Sequence, residues 1–263
     1  MKQTVESISS TCIALRQRYI SIQDDTPTSW SLGATLSYVG LGALAGSRPT
    51  TPTVSEEQQR ELFTEQPGPE TASLLTLYDF VISNKLFCYH LITQPSNDKA
   101  QPTPFSAFIS FDSYLYQHAY RSTRATLYAY LTLLILLVLV EDGTTTKLLC
   151  ENTASVRLCR QRPPYLPLQQ GTRSYAATII DLMTDGINHN IRKKLDTKIY
   201  ILYHTILFRL ITYLAKSRTK LAHHWSELWR SLLSFMRFLT TYPDELKGTF
   251  RIQELIDKLL DVL

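Results

Sequence analysis

Apolar side chains recur every three or four residues over most of the chain, and this helical period constrains the fold more than any other feature. From Tyr175 onward, Ile180, Met183, Ile187 and Ile191 form one stripe of a helix. The alternation of apolar and polar residues that marks a half-buried strand is nearly absent. Only nine glycines occur beside fifteen tyrosines, which is few for the tight turns of a sandwich or barrel. The sequence therefore predicts an all-α fold.

The predicted helices are long, and their connectors are irregular in length. Helical periodicity covers residues 71–92, 105–120, 121–140, 175–191, 196–213, 224–241 and 249–263. Stretches rich in Pro, Gly, Ser and Thr separate them, at residues 24–28, 46–70, 94–104 and 160–171. This arrangement predicts an irregular armadillo- or HEAT-like helical solenoid with Pro-rich connectors.

The connectors also predict a division of the chain. We expect an N-terminal helical segment over residues 1–45, a flexible linker over 46–70 and an armadillo-like helical domain over 71–263. The amphipathic pattern still runs at Leu263 without a C-cap. A chain truncated from a longer protein is therefore expected.

Residues 125–140 are the most apolar stretch, with eight consecutive aliphatic residues from Leu133. A helix of this length spans about 24 Å, less than the roughly 30 Å hydrocarbon core of a bilayer. Thr126 and Thr132 dilute it further. These observations favour a buried core helix, and an integral membrane protein with a single span near 125–140 is the alternative.

Positive charge is concentrated in one block of the chain. Residues 147–240 carry 15 basic and 5 acidic side chains, a net charge of +10, whereas residues 1–146 have a net charge of −4. Such a block attracts a polyanion, for example an anionic membrane or an acidic partner. The candidate basic interaction surface consists of Arg157, Arg160, Arg162, Arg192, Lys193, Lys194, Lys216, Arg218 and Lys220. A scattered solvated face is the alternative interpretation of the same residues.

Asp181, Asp185 and His189 are spaced by four residues, so a helix would place them on one face. Two carboxylates and an imidazole could hold a divalent metal, or serve an unrecognised hydrolase. However, this face lies opposite the apolar stripe described above, where solvated polar side chains are expected. Gly186 should also interrupt the helix. We therefore favour a solvated face.

No other pattern predicts catalysis or cofactor binding. Gly40, Gly42 and Ala45 match a dinucleotide-binding pattern, but Pro49 and Pro52 prevent the helix that would meet the pyrophosphate. The four cysteines lack zinc-type spacing, and no GxSxG element occurs. We expect no catalytic residues, no cofactor and no metal.

The sequence favours a cytoplasmic protein that does not bind nucleic acid. The N-terminus lacks the basic and apolar regions of a secretory signal, and no Asn-x-Ser/Thr sequon is present. Free cysteines in a reducing compartment are the default expectation for such a chain. No signature of a nucleic-acid-binding module was found.

Several stretches together have a recognisable order. They are residues 30–40 (WSLGATLSYVG), 70–79 (ETASLLTLYD), 156–167 (VRLCRQRPPYLP), 185–192 (DGINHNIR), 224–234 (HWSELWRSLLS) and 237–242 (RFLTTY). In this order they resemble the conserved C-terminal region of the armadillo-like helical domain-containing protein 3 family, particularly its fungal members. The resemblance spans roughly residues 30–242.

The resemblance implies a non-catalytic adaptor of helical repeats, peripheral at the cytosolic face of the Golgi membrane. Animal relatives are associated with a phosphatidylinositol 4-kinase and with Golgi maintenance. The resemblance therefore also implies a protein partner, such a kinase being the candidate. No partner-binding residue of the family maps onto a position in this chain.

Overall fold

The structure is a computed structural model, and it describes residues 1–25, 55–96, 101–168, 171–190 and 196–263. The α-helices are α1 (Lys2–Ile22), α2 (Glu56–Glu65), α3 (Ser73–Ser83), α4 (Lys85–Thr93), α5 (Pro104–His118), α6 (Thr123–Glu141), α7 (Gly143–Glu151), α8 (Tyr175–Asn190), α9 (Thr197–Ser217), α10 (Trp225–Thr241), α11 (Pro243–Leu246) and α12 (Ile252–Val262). Short 3-10 helices lie at Pro69–Ala72 and Ala119–Arg121. One antiparallel pair, β1 (Thr153–Ala154) and β2 (Arg173–Ser174), joins the two ends of a long connector. The predicted all-α class is confirmed.

Helix α5 is the centre of the molecule, because all of its residues are buried. It packs against α1, α4, α6 and α8. Helix α1 contributes Val5, Cys12, Leu15 and Tyr19 to the same core. The N-terminal segment predicted at residues 1–45 and the domain predicted at 71–263 therefore share one hydrophobic core within the described residues.

Part of the stretch predicted as a flexible linker is helical, which corrects the prediction over Glu56–Glu65. Ser55 and Gln58 form a capping box at the start of α2, in which each side chain accepts a hydrogen bond from the other residue's backbone N–H. Phe63 is buried, and its ring stacks on His118 at 4.2 Å between ring centroids. A capping box is visible in a sequence, so this helix start could have been predicted.

The helix predicted over residues 71–92 is divided in two at Asn84. The backbone of Asn84 is extended, with φ −145° and ψ 101°, and its side-chain oxygen accepts a hydrogen bond from the Phe87 N–H at 3.1 Å. Asparagine favours this N-cap position because its side chain satisfies a free backbone donor. The break lets α3 pack on α6 while α4 packs on α7.

Gly186 does not interrupt α8, contrary to the prediction. The helix continues through it from Tyr175 to Asn190. A Cβ atom at Gly186 would lie 2.5 Å from Cζ of Tyr203 on α9. The glycine therefore permits the close approach of α8 and α9, a packing role that outweighs its low helix propensity.

Candidate functional site

Three arginines of the candidate basic surface lie in the connector between β1 and β2, and they turn towards the protein. Arg157 pairs with the buried carboxylate of Asp25. The guanidinium of Arg160 donates from Nη1 to the Leu166 carbonyl oxygen at 2.7 Å and lies over the Tyr165 ring, 4.9 Å from its centroid. These two side chains are therefore occupied by contacts within the chain.

Arg162 has the most extensive contacts of the three. Its guanidinium donates to the carbonyl oxygens of Gln117 and His189, the latter at 2.9 Å, and stacks 4.6 Å from the Tyr120 ring centroid. The neighbouring Gln161 is buried and donates from Nε2 to the Tyr19 carbonyl oxygen at 2.8 Å. The connector is thus fixed to α1, α5 and α8. Each of its three arginine side chains has a contact within the fold.

The face formed by Asp181, Asp185 and His189 is buried, so the prediction of a solvated face is wrong. The connector covers it. Gln117 donates to Asp185 Oδ2 at 2.8 Å, and the Nδ1 of His189 lies 3.2 Å from Asp185 Oδ1. Helical spacing places residues on one face but does not indicate whether another segment packs over that face.

His189 is positioned as a charged group. Its Nδ1 lies 2.8 Å from the Asp185 carbonyl oxygen, and its Nε2 lies 2.7 Å from the Arg162 carbonyl oxygen. Carbonyl oxygens only accept, so both ring nitrogens must carry a proton. Burial alone would lower the pKa of His189, but the Asp185 carboxylate and these carbonyl acceptors raise it above its ordinary value.

A second cluster joins α8 to the segment before α10. Arg173 pairs with Asp181 and donates from Nη2 to the Nδ1 of His223 at 3.1 Å. Burial lowers the pKa of His223 to about 4, with Arg173 as the next cause. Burial raises the pKa of Asp181, and Arg173 opposes that rise. Since arginine only donates, His223 is neutral with its proton on Nε2.

These clusters are internal supports for the fold. Every carboxylate and imidazole in them has a partner on a neighbouring element. Among the described residues, no three His, Cys, Asp or Glu side chains are arranged to hold a metal ion. The arrangement therefore connects the long connector to α8 and α10.

The remaining described members of the candidate basic surface point into solvent. Lys216, Arg218 and Lys220 lie at the end of α9 and in the following loop, and all three are exposed. Arg218 adopts a left-handed conformation, φ 53°, as the C-cap of α9, and its N–H donates to the Ala215 carbonyl oxygen at 3.3 Å. None of the three has a carboxylate partner in the part of the chain that the structure describes.

Helix α10, which follows this loop in the chain, has exposed apolar side chains. Trp229 is 37% exposed and Leu233 is 51% exposed. They lie four residues apart, on one side of the helix, in its first turns. Over residues 214–242 the chain has five lysine or arginine side chains and a single carboxylate, Glu227, which pairs with Arg230 at 3.0 Å. We call Lys216, Arg218, Lys220, Trp229 and Leu233 the basic corner.

The other predicted site residues lie outside the described residues. These are Arg192, Lys193 and Lys194, together with the glycine-rich stretch at residues 40–45. The candidate basic surface as a whole therefore stays a prediction, of which the structure places six members.

Helix α6 is the one helix in the described ranges long and apolar enough to cross a membrane. Somewhat less than half of its most apolar window is buried. Its buried face, including Ala129, Leu133 and Leu136, packs against α3 and α9. The opposite face is also apolar, with Leu127 63% exposed and Leu131 partly buried. The core-helix interpretation accounts for only one side of α6.

Comparison with known proteins identifies relatives of this chain. The family described as armadillo-like helical domain-containing protein 3, C-terminal, matches residues 173–263. A UPF0588 membrane protein of Schizosaccharomyces pombe is 30% identical over 253 residues, covering 95% of this chain and 40% of the relative. No solved structure matches.

Two vertebrate relatives carry the family name. Armadillo-like helical domain-containing protein 3 of Danio rerio is 26% identical over 48% of this chain and 19% of its own length, and the Homo sapiens protein is 26% identical over 41% and 17%. The chain spans less than half of the length of the curated relatives it matches. The comparisons therefore confirm the resemblance stated from the sequence: residues 173–263 match the C-terminal region of the armadillo-like helical domain-containing protein 3 family, and two relatives of the chain carry the family name.

Proposed function

We propose that this chain is a non-enzymatic helical scaffold that docks peripherally on the cytosolic face of the Golgi membrane through the basic corner. The observation that carries the proposal is the group of three exposed cations without carboxylate partners in the described residues, followed along the chain by the exposed side chains of Trp229 and Leu233. Basic side chains are attracted to anionic lipid, and tryptophan favours the interface between headgroups and acyl chains. The corner combines both features.

The location of the corner fits a docking role. It belongs to α9, α10 and the loop between them, and α9 packs on α6, α8 and α12. The cations are therefore presented by a packed element. Because the corner lies within residues 173–263, it is part of the family-matched region. A scaffold with this surface could hold a partner protein at the membrane.

Flotation with liposomes tests the docking surface. The chain is mixed with vesicles containing phosphatidylinositol 4-phosphate or only neutral lipid, over a series of salt concentrations. We expect binding to the anionic vesicles that weakens as salt rises, because screening reduces attraction between exposed charges. Each cation near the surface contributes about 1 kcal/mol, so Lys216→Gln with Lys220→Gln should weaken binding by roughly tenfold or more.

Lys2→Gln with Lys85→Gln is the matched control. Both lysines are exposed, and they lie on α1 and α4, which pack against α5 rather than against α9 or α10. The control removes the same net charge and should leave binding within about threefold of wild type. Equal losses in both double variants, or no binding at low salt, would reject the corner as the docking surface.

The partner and the organelle come to the proposal from the family. The resemblance implies a phosphatidylinositol 4-kinase as the protein partner, and a solenoid of helices offers extended surfaces for such an interaction. Co-sedimentation of the purified chain with a purified kinase of this class is expected to show direct binding. Absence of binding at micromolar concentrations of both would remove the kinase from the proposal.

A single-span membrane protein is the second candidate function class, with α6 as the span. It is favoured by the apolar side chains on both faces of α6, and by the Schizosaccharomyces pombe relative, whose name describes it as a membrane protein. Alkaline carbonate extraction of cell membranes separates the two candidates. A peripheral scaffold is released into the supernatant, whereas a chain that spans the bilayer at α6 stays in the pellet.

A further inference from the structure

A cleft of about 690 Å³ lies between α1, α5, α8 and the connector that follows β1. Its size is typical of a site for a small organic ligand. Four arginines line it, namely Arg16 from α1, Arg157 and Arg160 from the connector, and Arg173 from β2. Four positively charged guanidinium groups around one small cleft need negative charge nearby to balance them.

Two of these arginines are neutralised within the chain. Arg157 pairs with Asp25, and Arg173 pairs with Asp181. The guanidinium groups of Arg16 and Arg160 have no carboxylate partner in the described parts of the chain. The guanidinium of Arg160 contacts a carbonyl oxygen and an aromatic ring, while its backbone N–H donates to the Asp25 carboxylate. The cleft therefore has two guanidinium groups whose positive charge is not balanced by a paired carboxylate.

Arg16 is the more exceptional of the two, because it is half-buried on α1. Its Nη1 donates to the Ser110 hydroxyl at 3.3 Å, while its buried Nε has no hydrogen-bond partner. The Nε of Arg157 is also buried and without a partner. Burial lowers the pKa of Arg16, and the neighbouring Arg157 guanidinium lowers it as well, whereas Tyr114 and Asp25 oppose that fall. Leaving donors on charged groups unpaired in a buried position is costly, and an anion would remove part of that cost.

We infer that this cleft binds a phosphate monoester, with Arg16 and Arg160 as the groups that receive the phosphate. Guanidinium groups bind phosphate through paired, charge-assisted hydrogen bonds, and two unbalanced cations match the charge of a doubly ionised monoester. Ser106 and Thr178 also line the cleft. This site is separate from the basic corner and does not depend on the proposed membrane docking.

Titration calorimetry with β-glycerol phosphate, at constant ionic strength, tests the inference. Inorganic phosphate is the second probe, and sodium chloride at matched ionic strength is the blank. We expect wild type to bind β-glycerol phosphate with a dissociation constant below 1 mM. Arg16→Gln and Arg160→Gln should each weaken binding by about tenfold or more, because each removes one charged donor pair.

Arg209→Gln is the matched control. Arg209 is exposed and pairs with Glu141 at 3.5 Å, away from the cleft, so this variant should bind like wild type. Arg16→Lys keeps the charge but loses the paired geometry, and we expect intermediate affinity. Circular dichroism establishes that each variant is folded. Absence of binding to wild type at 10 mM of either probe would overturn the inference whatever the variants do, as would equal binding by wild type and Arg16→Gln.

A vesicle arm distinguishes a lipid headgroup from a free phosphate monoester. The Lys216→Gln, Lys220→Gln background is mixed with vesicles containing phosphatidic acid, so that the basic corner does not contribute. Vesicle binding that β-glycerol phosphate displaces, and that Arg16→Gln abolishes, would support a lipid source. Binding of soluble β-glycerol phosphate without vesicle binding would support a free monoester. The Lys216→Gln, Lys220→Gln background leaves the cleft unchanged. The experiments can therefore reject the docking proposal and the cleft inference independently of each other.

Discussion

The connector between β1 and β2 and the basic corner contain the same kind of residue but use it in opposite ways. Arg157, Arg160 and Arg162 lie against the fold, and Arg162 alone contacts two backbone carbonyls and an aromatic ring. Lys216 and Arg218 point into solvent. The difference shows that a high local density of basic residues does not by itself identify a basic binding surface. Whether the basic side chains reach solvent depends on the path of the backbone.

Neighbouring residues explain the two paths. In the connector, the buried side chains of Cys159 and Gln161 anchor the backbone, so the arginines between and beside them lie close to carbonyl oxygens of α5 and α8. At the basic corner, α9 ends in a left-handed turn at Arg218, and the loop leaves the core. If this comparison is correct, loss of Arg162 in the connector mainly affects stability, and loss of cations at the corner mainly affects binding to anionic membranes.

The largest effect is expected for Arg162→Ala. This change removes a charged donor from two carbonyl oxygens and from the Tyr120 ring, and leaves the acceptors unsatisfied. We expect a loss of about 2–4 kcal/mol in the free energy of unfolding, measured by chemical denaturation. Arg230→Ala is the control, because Arg230 is exposed in a surface pair with Glu227, and it should cost less than about 1 kcal/mol. Similar losses for both variants would contradict the comparison.

A smaller effect on the free energy of unfolding is expected at acidic pH, where His118, which contacts the connector, would be protonated in the unfolded chain. Burial lowers the pKa of His118 to about 3, and its Nε2 lies 2.8 Å from the Gln161 side-chain oxygen. Because the unfolded chain binds this proton below about pH 6.5, the stability it contributes is fully present above that pH and is lost as pH falls towards 3. Between pH 7 and pH 5, His118 should account for about 2 kcal/mol of lost stability.

His118→Phe keeps a ring against Phe63 and removes the titration. The variant should therefore show a flatter fall in unfolding free energy between pH 7 and pH 5 than wild type. Denaturant unfolding curves at several pH values measure both slopes. Parallel slopes for the two proteins would show that titration of His118 does not cause the loss of stability in acid. The acid effect would then be unrelated to the contact between His118 and the connector.

The smallest effect is expected at the corner, for Arg218→Gly. A non-glycine residue in the left-handed conformation costs about 1 kcal/mol, so glycine should raise the free energy of unfolding by up to about that amount. The same change removes one cation and should weaken binding to anionic vesicles. In this one variant, the free energy of unfolding should therefore rise while binding to anionic vesicles falls. A variant that loses both stability and binding would show that Arg218 also supports the fold.

Periodicity predicted most of the long helices. Helices α8, α9, α10 and α12 follow from one apolar stripe, which must be buried, and α5 and α6 also coincide with predicted helical stretches. It did not predict α7 (Gly143–Glu151), because three consecutive threonines after a glycine resemble a loop. The cue was Asp142, whose side chain accepts from the Thr145 N–H at 2.9 Å as an N-cap.

The candidate sites were harder to predict, for a physical reason. Sequence spacing correctly placed Asp185 and His189 on one face of α8, but only the long connector, folding back over that face, buries them. The same connector joins Arg16 and Arg160, which are far apart in sequence, at one cleft. Contacts of this kind depend on tertiary packing, and no local pattern encodes them.

The full enclosure of α5 has a consequence for how the chain acquires its structure. A linear array of helical repeats can form progressively, each pair stacking on the one before. Here α1 must cover α5, and Gln161 reaches back to Tyr19 across a separation of 142 residues. During synthesis the apolar face of α1 therefore has no complete binding surface until the connector has emerged, and long-range closure of this kind slows folding. We expect a dependence on chaperones during synthesis that a regular solenoid of the same length would not have.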